Sequence, residues 1–320
     1  MKSKVLVSVG KLNFPQDLAV SLSDIAEVEY VSGDYSTKLP DADAVVVSME
    51  SINKTYLNKA PKLKIVARFG VGYDTVDIEA CTKRGVYVGY TPDILSAAVA
   101  DLTWALILGW MRRIPEGDNF ARKEWGNNKR VFPFGWDLQG KTLGFLGLGR
   151  IGAEVAKRGY GYDVKMIYHD LVRRGDYEEK FGLNLVGFKE LLQTSDILTI
   201  HIPLTSSTRK MIAYDQLRLM KPTALLVNTS RGGIIDQIAL TEALEHNLIA
   251  GAALDVFEQE PIPLNDRLLK LNNVLLTPHC ASATLETRRN MAKRCSENIR
   301  AVLKGEKPLF VIPEQSTYNF

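Results

Sequence analysis

The sequence predicts an α/β protein of two domains, each built on a parallel β-sheet. Three observations predict it. Over the first hundred or so positions, short apolar, β-branched runs alternate with helical stretches. A second series of the same kind starts at Lys141. The length of 320 residues suits two domains, since domains usually run to about 100–200 residues.

In the first series, residues 5–9, 28–31, 44–48, 65–67 and 86–88 read as strands. The nearly unbroken apolar character of 5–9 and 45–47 fits parallel strands covered on both faces. The connections are long enough for crossover helices. Residues 96–113 read as one long helix, with Val99, Thr103, Leu106, Ile107 and Trp110 on one face and Pro115 ending it. Residues 119–140 are aromatic and irregular, and read as a linker or arm carrying Trp125, Phe132, Phe134 and Trp136. Strands then fit 142–147, 164–168, 197–202, 224–228, 251–255 and 274–276; helices fit 151–159, 188–194, 214–219 and 238–247. After Leu285 an amphipathic helix carries Met291, Cys295, Ile299 and Val302 on one stripe, with Gly305 as its C-cap.

Composition narrows the function. The net charge is +3 and no basic run exceeds three residues, so nucleic acid is not the expected partner, because phosphate binding needs a concentrated basic face. A small anionic substrate needs only one or two placed cations. Cys81, Cys280 and Cys295 give neither a disulfide framework nor a CxxC pair, and no metal cage is expected. Reduced thiols point to the cytoplasm. The apolar run 102–111 is too short for a bilayer, which takes roughly 20 residues, so no membrane partner is expected. The N-terminus reads as a strand and not as a signal peptide.

Gly147, Leu148, Gly149, Arg150, Ile151 and Gly152 form a G-x-G-x-x-G that follows a strand and opens a helix. That context makes it a Rossmann fingerprint. Gly147 permits the tight turn, Gly149 lets the backbone approach a pyrophosphate, and Gly152 lets helix and strand pack closely. The diphosphate then meets the positive helix N-terminus. Asp170 closes the next strand, where a carboxylate accepts both ribose hydroxyls and repels a 2′-phosphate. The cofactor expected is NAD, with NADP the alternative that Arg173 and Arg174 keep open.

Four histidines are available for acid–base work. His246 lies in a polar helical stretch and His169 beside Asp170. His201 ends a strand just before Pro203, and both are expected to line the cofactor crevice. His279 follows a strand in Thr277-Pro278-His279 and is the first candidate for the acid/base, with His201 second. Arg231 and the acidic segment from Asp255 to Glu260 also follow strands, and such strand ends face the ligand crevice. Reducing a 2-oxo acid needs this set. A guanidinium holds the carboxylate and carbonyl, an imidazole protonates the developing alkoxide, and a carboxylate orients the imidazole and favours its charged form. Glu258 competes with Glu260 for the last role.

With Gly70-Val71-Gly72-Tyr73-Asp74, the glycine loop, Asn228 to Gly232, Asp255 to Pro261 and Thr277 to Ser282 in view, the chain resembles the D-isomer-specific 2-hydroxyacid dehydrogenase family over nearly its whole length. Thr91-Pro92-Asp93, Ala100-Asp101-Leu102 and the run from Leu268 to Ser282 most resemble its glyoxylate and hydroxypyruvate reductases. The resemblance implies a Rossmann doubly wound sheet inserted into a flavodoxin-like substrate domain, residues 1–98 with 286–320 forming the substrate domain and 99–285 the cofactor domain. It implies that Arg231 binds the substrate, that His279 is the acid/base and that Glu260 partners it. It gives the amides of Val71 and Gly72 to the substrate carboxylate, Asp255 to the nicotinamide amide, and Asn228 and Thr229 to the cofactor's edge. It also implies a homodimer joined through the cofactor domains, with the arm near Phe132 approaching the partner. The activity implied is NAD(P)H-dependent reduction of a small 2-oxo acid to the D-2-hydroxy acid. A cofactor-sensing, corepressor-like protein on the same scaffold is the alternative, as is another D-2-hydroxyacid dehydrogenase. Formate oxidation is disfavoured, because formate dehydrogenases of this fold pair the histidine with glutamine. Cys280 and Asp101 depart from the family's usual residues. Met49, Arg68, Phe69, Leu95 and Phe132 are candidates for setting substrate choice.

Overall fold

The computed structural model describes residues 2–126 and 131–320. Residues 127–130 of the expected arm lie outside the described residues. The chain divides into two compact units, Met1–Leu95 with Ser282–Phe320, and Ser96–Ala281.

The first unit carries β1 (Ser3–Val7), β2 (Ala26–Tyr30), β3 (Ala44–Val47), β4 (Ile65–Arg68) and β5 (Tyr87–Gly89). They pair in parallel in the order β2-β1-β3-β4-β5, the flavodoxin-like order. Both faces are covered. Leu6, Val45, Val47, Val66 and Val88 enter one core, while their neighbours Val5, Val7, Val46, Ile65 and Ala67 are buried on the other face. Each of the valine, leucine and isoleucine side chains contributes roughly 1.5–3 kcal/mol on leaving water. The expected strand 5–9 stops at Val7, and Val9 precedes a short helix, Gly10–Asn13. The amphipathic helix is Leu285–Leu303. Thr284 caps it by accepting the Thr287 N–H at 3.2 Å, and Met291, Cys295, Ile299 and Val302 are buried. Gly305 follows it at φ +83°. The tail then runs back along the edge strand β5. The Tyr90 N–H bonds to Phe310 O and the Ile312 N–H to Val88 O. The buried Gln315 amide accepts the Val88 N–H at 2.7 Å and donates to Val86 O at 3.0 Å.

The second unit carries β6 (Thr142–Leu146), β7 (Lys165–His169), β8 (Asn184–Leu185), β9 (Ile197–Ile200), β10 (Leu225–Asn228), β11 (Gly251–Leu254) and β12 (Val274–Leu276). The order is β12-β11-β10-β9-β6-β7-β8, all parallel. Alternation again fills two cores: Leu225 and Val227 of β10 face one, Leu226 the other. The long helix ends at Met111, two residues short of the expected end. It packs on the glycine-loop helix, where Trp104 donates from its indole N–H to Val155 O at 2.9 Å.

Pro115 does not end that helix. Arg113 turns in the left-handed region (φ 53°), and Pro115 stands in the first turn of a second helix, Ile114–Lys123. Proline is at home there, because the first turn has no N–H to satisfy. The expected irregular arm is therefore helical up to Lys123. Residues 131–138 carry no regular secondary structure. Trp136 stacks on Trp110 with ring centroids 4.8 Å apart, and Phe132 packs against Phe120 at 5.5 Å.

Candidate active site

The glycine loop joins β6 to the helix Arg150–Gly159. Gly147 sits at φ +91°, and a Cβ there would lie 2.7 Å from Ile202 Cγ2. A Cβ on Gly152 would lie 2.6 Å from Gly147 O. Both positions exclude side chains. At Gly149 a Cβ would meet nothing within 4 Å, so the loop faces open space there. No side chain caps the helix N-terminus. An open backbone concavity before an uncapped helix fits a pyrophosphate. Asp170, directly after β7, turns onto this loop: Oδ2 accepts the Leu148 N–H at 2.7 Å and Oδ1 the Val172 N–H at 3.1 Å.

The sheet reverses direction of growth between β6 and β9, and ligands bind at such switch points. His201 stands there, its N–H bonded to Leu146 O at 2.8 Å and its Nε2 3.0 Å from Thr199 Oγ1. Desolvation pushes its pKa down to about 3, so its imidazole is neutral at ordinary pH. Pro203 follows, its carbonyl accepting the Thr208 hydroxyl at 2.7 Å.

Arg231 is positioned by the turn after β10. The fully buried Asn228 donates to Arg231 O at 2.9 Å and accepts the Ser230 N–H at 3.0 Å. A Cβ on Gly232 would lie 1.9 Å from the Phe257 carbonyl carbon, so only glycine lets this turn rest on the segment after β11. The Arg231 guanidinium donates to Ser230 O at 2.8 Å. Thr229 turns toward the helix Ser96–Met111. The Thr103 hydroxyl gives its proton to Val99 O, so in the 2.9 Å pair Thr229 donates to Thr103.

His279 and Glu260 meet at 2.6 Å through Nδ1 and Oε2. Glu260 Oε1 accepts the Phe257 N–H at 3.0 Å. Burial opposes its ionisation, but hydrogen bonds from His279 and Phe257 and the charges of His279 and Arg231 prevail and hold its pKa below the usual glutamate value. Glu258 does not compete: it faces Lys210 at 3.4 Å and the Gln237 N–H at 3.3 Å. His279 stands at φ 51°, a conformation non-glycine residues adopt only where surroundings impose it. The imposing group is Asp255. Its main-chain oxygen accepts the His279 N–H at 2.8 Å. Its carboxylate accepts the Thr277 hydroxyl at 2.6 Å and the N–H groups of Cys280 and Ala281 at 2.9 Å each. No motif spacing signals this cradle.

Val71 and Gly72 follow β4 in the first unit. No hydrogen bond among the described residues takes their N–H groups. Gly72 O accepts from Nε of the buried Arg68 at 2.9 Å, and Gly70 O accepts the Thr91 N–H at 3.0 Å, which fixes the loop. Of the residues expected to set substrate choice, Arg68, Phe69 and Leu95 are buried while Met49 is 46% exposed. Among the described residues, no group of three acidic, histidine or cysteine side chains is arranged for a metal, and no helix is long and apolar enough to cross a membrane.

A glycine loop at the switch point of a parallel sheet, with a carboxylate after the next strand, defines the dinucleotide-binding class. Residues 104–281 match the model of the D-isomer specific 2-hydroxyacid dehydrogenase NAD binding domain. The chain is 47% identical over 274 residues to a glyoxylate reductase of Korarchaeum cryptofilum, covering 85% of this chain and 82% of that one. It is 44% identical over 317 residues to the glyoxylate reductase of Aeropyrum pernix, covering 94% of each. Its fold matches that of an NADPH-dependent glyoxylate/hydroxypyruvate reductase from Sinorhizobium meliloti, solved with NADP and malonate (TM-score 0.88, 32% identity, 98% of each chain). The chain therefore belongs to the D-isomer specific 2-hydroxyacid dehydrogenase family and is an NAD(P)-dependent 2-hydroxyacid dehydrogenase.

Proposed function

We propose that this chain reduces glyoxylate, and hydroxypyruvate as a second substrate, to the corresponding 2-hydroxy acid. The observation that carries the reading is the His279–Glu260 pair at 2.6 Å, held at strand ends beside Arg231. The similarity to glyoxylate reductases supplies the substrate class. A bound reduced nicotinamide supplies the hydride. Glu260 takes Nδ1 of His279 and fixes the imidazole's orientation, which leaves Nε2 to carry the proton to the substrate oxygen. Arg231 holds the substrate carboxylate and polarises its carbonyl with two parallel N–H groups. The N–H groups of Val71 and Gly72 take the carboxylate, a role supported by their lacking partners among the described residues. Gly147, Gly149, Arg150, Ile151 and Gly152 hold the pyrophosphate, His201 and Pro203 line the remaining cofactor surface, and Thr229 supports that surface through its buried bond to Thr103. Asp170 takes the adenosine ribose hydroxyls and favours NAD over NADP. Asp255 acts through the His279 loop that it pins. Residues 1–95 with 282–320 act as the substrate domain and residues 96–281 as the cofactor domain.

Oxidation of NADH and of NADPH by the purified protein tests this, with glyoxylate, hydroxypyruvate, pyruvate, phenylpyruvate and 3-phosphohydroxypyruvate as substrates. Highest kcat/KM on glyoxylate with NADH supports the reading. Tight NADH binding without turnover of any of the five would refute it and favour a cofactor-sensing role. A cytoplasmic homodimer is part of the same proposal; sedimentation at the monomer mass would remove the dimer.

A further inference from the structure

The loop after Asp170 carries two arginines whose environments differ, and this bears on which nicotinamide cofactor is accepted. Arg173 is largely exposed, and its guanidinium forks onto Glu178: Nε lies 3.1 Å from both carboxylate oxygens and Nη2 2.8 Å from Oε2. Glu178 belongs to the first turn of the helix Gly175–Phe181, and its side chain is only 16% exposed. It is anchored from below. The fully buried Tyr168 of β7 donates its hydroxyl to Glu178 Oε1 at 2.6 Å and accepts the Arg174 N–H at 2.8 Å. Arg174 itself has its Nε buried. Thus the carboxylate is the fixed member of the pair and Arg173 the movable one.

A ribose 2′-phosphate needs a guanidinium to neutralise it, and a nearby arginine is how this fold accommodates NADP. Arg173 stands three positions after Asp170 and is the exposed cation of the loop. We propose that Glu178 is a specificity-determining positioning residue: it locks the Arg173 fork and so withholds it from a 2′-phosphate, reinforcing the choice of NAD. The proposal rests on the reading of Asp170 as the ribose ligand. Its charge logic is reciprocal. Arg173 and Tyr168 hold the Glu178 carboxyl below its usual pKa, so the lock is ionised at every working pH.

The test uses the full chain as wild type, Glu178→Gln, Arg173→Ala, the double variant and Asp170→Ala. Glutamine keeps an acceptor for the Tyr168 hydroxyl and removes the charge that holds the fork. The primary readout is the dissociation constant of NADPH against NADH, from the fluorescence of the bound nucleotide, with KM and kcat measured beside it. Glu178→Gln is expected to improve NADPH relative to NADH by about fivefold, the release of an ion pair worth about 1 kcal/mol. The gain is expected in Kd and KM rather than kcat, and to vanish in the double variant. Arg173→Ala alone is expected to leave the ratio at the wild-type value, since the fork is already engaged. An unchanged ratio in Glu178→Gln overturns the lock, and so does a gain that survives loss of Arg173. Weaker NADPH binding in Arg173→Ala overturns it too, and that result does not require Glu178→Gln to fold. Asp170→Ala separates the two readings. An unchanged ratio there removes the ribose from Asp170 and the premise with it. A changed ratio there with none in Glu178→Gln removes only the lock.

Discussion

Replacing Glu260 with glutamine removes one charge and almost no volume, yet the geometry predicts a large loss. Glu260 accepts twice, from the Phe257 N–H at 3.0 Å and from Nδ1 of His279 at 2.6 Å. A glutamine amide has an accepting oxygen on one branch and a donating nitrogen on the other, so it cannot accept from Phe257 and His279 on separate branches as the carboxylate does. Either Phe257 loses its partner or His279 must present an unprotonated Nδ1, which leaves the ring neutral and removes the carboxylate that would balance its charged form. A hydrogen bond to a charged group is worth about 1.5–3 kcal/mol. At about 1.4 kcal/mol per tenfold, kcat should fall roughly 10- to 150-fold. The assay is single-turnover NADH oxidation with saturating glyoxylate, with the NADH dissociation constant measured alongside. The pH course adds a check. Because the folded-state pKa of Glu260 is depressed, the pair is intact above the ordinary glutamate value of about 4.3 and is lost only as pH falls through the lower folded value. Wild type should therefore keep the pair through mild acid. A glutamine variant with kcat within about threefold of wild type would falsify the orienting role of the carboxylate.

Other perturbations follow from the same geometry. Arg231→Lys replaces a fork with a point charge and should lower kcat/KM by about 100-fold or more while NADH binding persists; lost cofactor binding would make Arg231 structural instead. Gly232→Ala places a Cβ 1.9 Å from the Phe257 carbonyl carbon, so urea unfolding should show a loss of about 3 kcal/mol, and a loss under about 1 kcal/mol would contradict the close approach. His201 has its pKa lowered from 6.5 to about 3, so the unfolded chain binds the extra proton in that window and stability falls as pH drops from 6.5 towards 3. His201→Gln should abolish about 2 kcal/mol of the loss between pH 6.5 and pH 5, and equal acid sensitivity in both proteins would sink the assignment. Burial pushes the thiols of Cys81 and Cys295 up to about 12 and raises that of Cys280. A thiol reagent at pH 8 should therefore label the native protein slowly and the unfolded protein at all three cysteines; fast native labelling of more than one would contradict that burial.

Much of the fold was legible because parallel strands buried on both faces announce themselves as apolar runs, as β3 and β10 do. The glycine loop was legible because its three glycines answer to sterics that only glycine satisfies or to open space for a ligand. β8 escaped notice: it is a two-residue exposed edge strand with no pattern to read. The polar helix Gly175–Phe181 escaped for the same reason. Pro115 is ambiguous in the sequence because proline both stops and starts helices, and the left-handed turn at Arg113 that decides between them leaves no mark there. At the site, strand-end placement singled out Arg231, Glu260 and His279. The choice between Glu258 and Glu260, the inward turn of Thr229 and the Asp255 cradle all depend on contacts across loops, which spacing does not encode.

The tail along β5 bears on what keeps this molecule from sticking to its copies. An edge strand is a template for a foreign strand. Here main-chain bonds from Phe310 and Ile312 and the Gln315 amide occupy that edge. A side-chain amide thus imitates a peptide group where the ladder would otherwise stay open. Removing residues 310–320, or Gln315→Leu, would leave the catalytic groups untouched and yet unmask idle donors and acceptors along β5. The expected failure is solubility, with aggregates growing through the exposed edge before any loss of turnover per folded molecule.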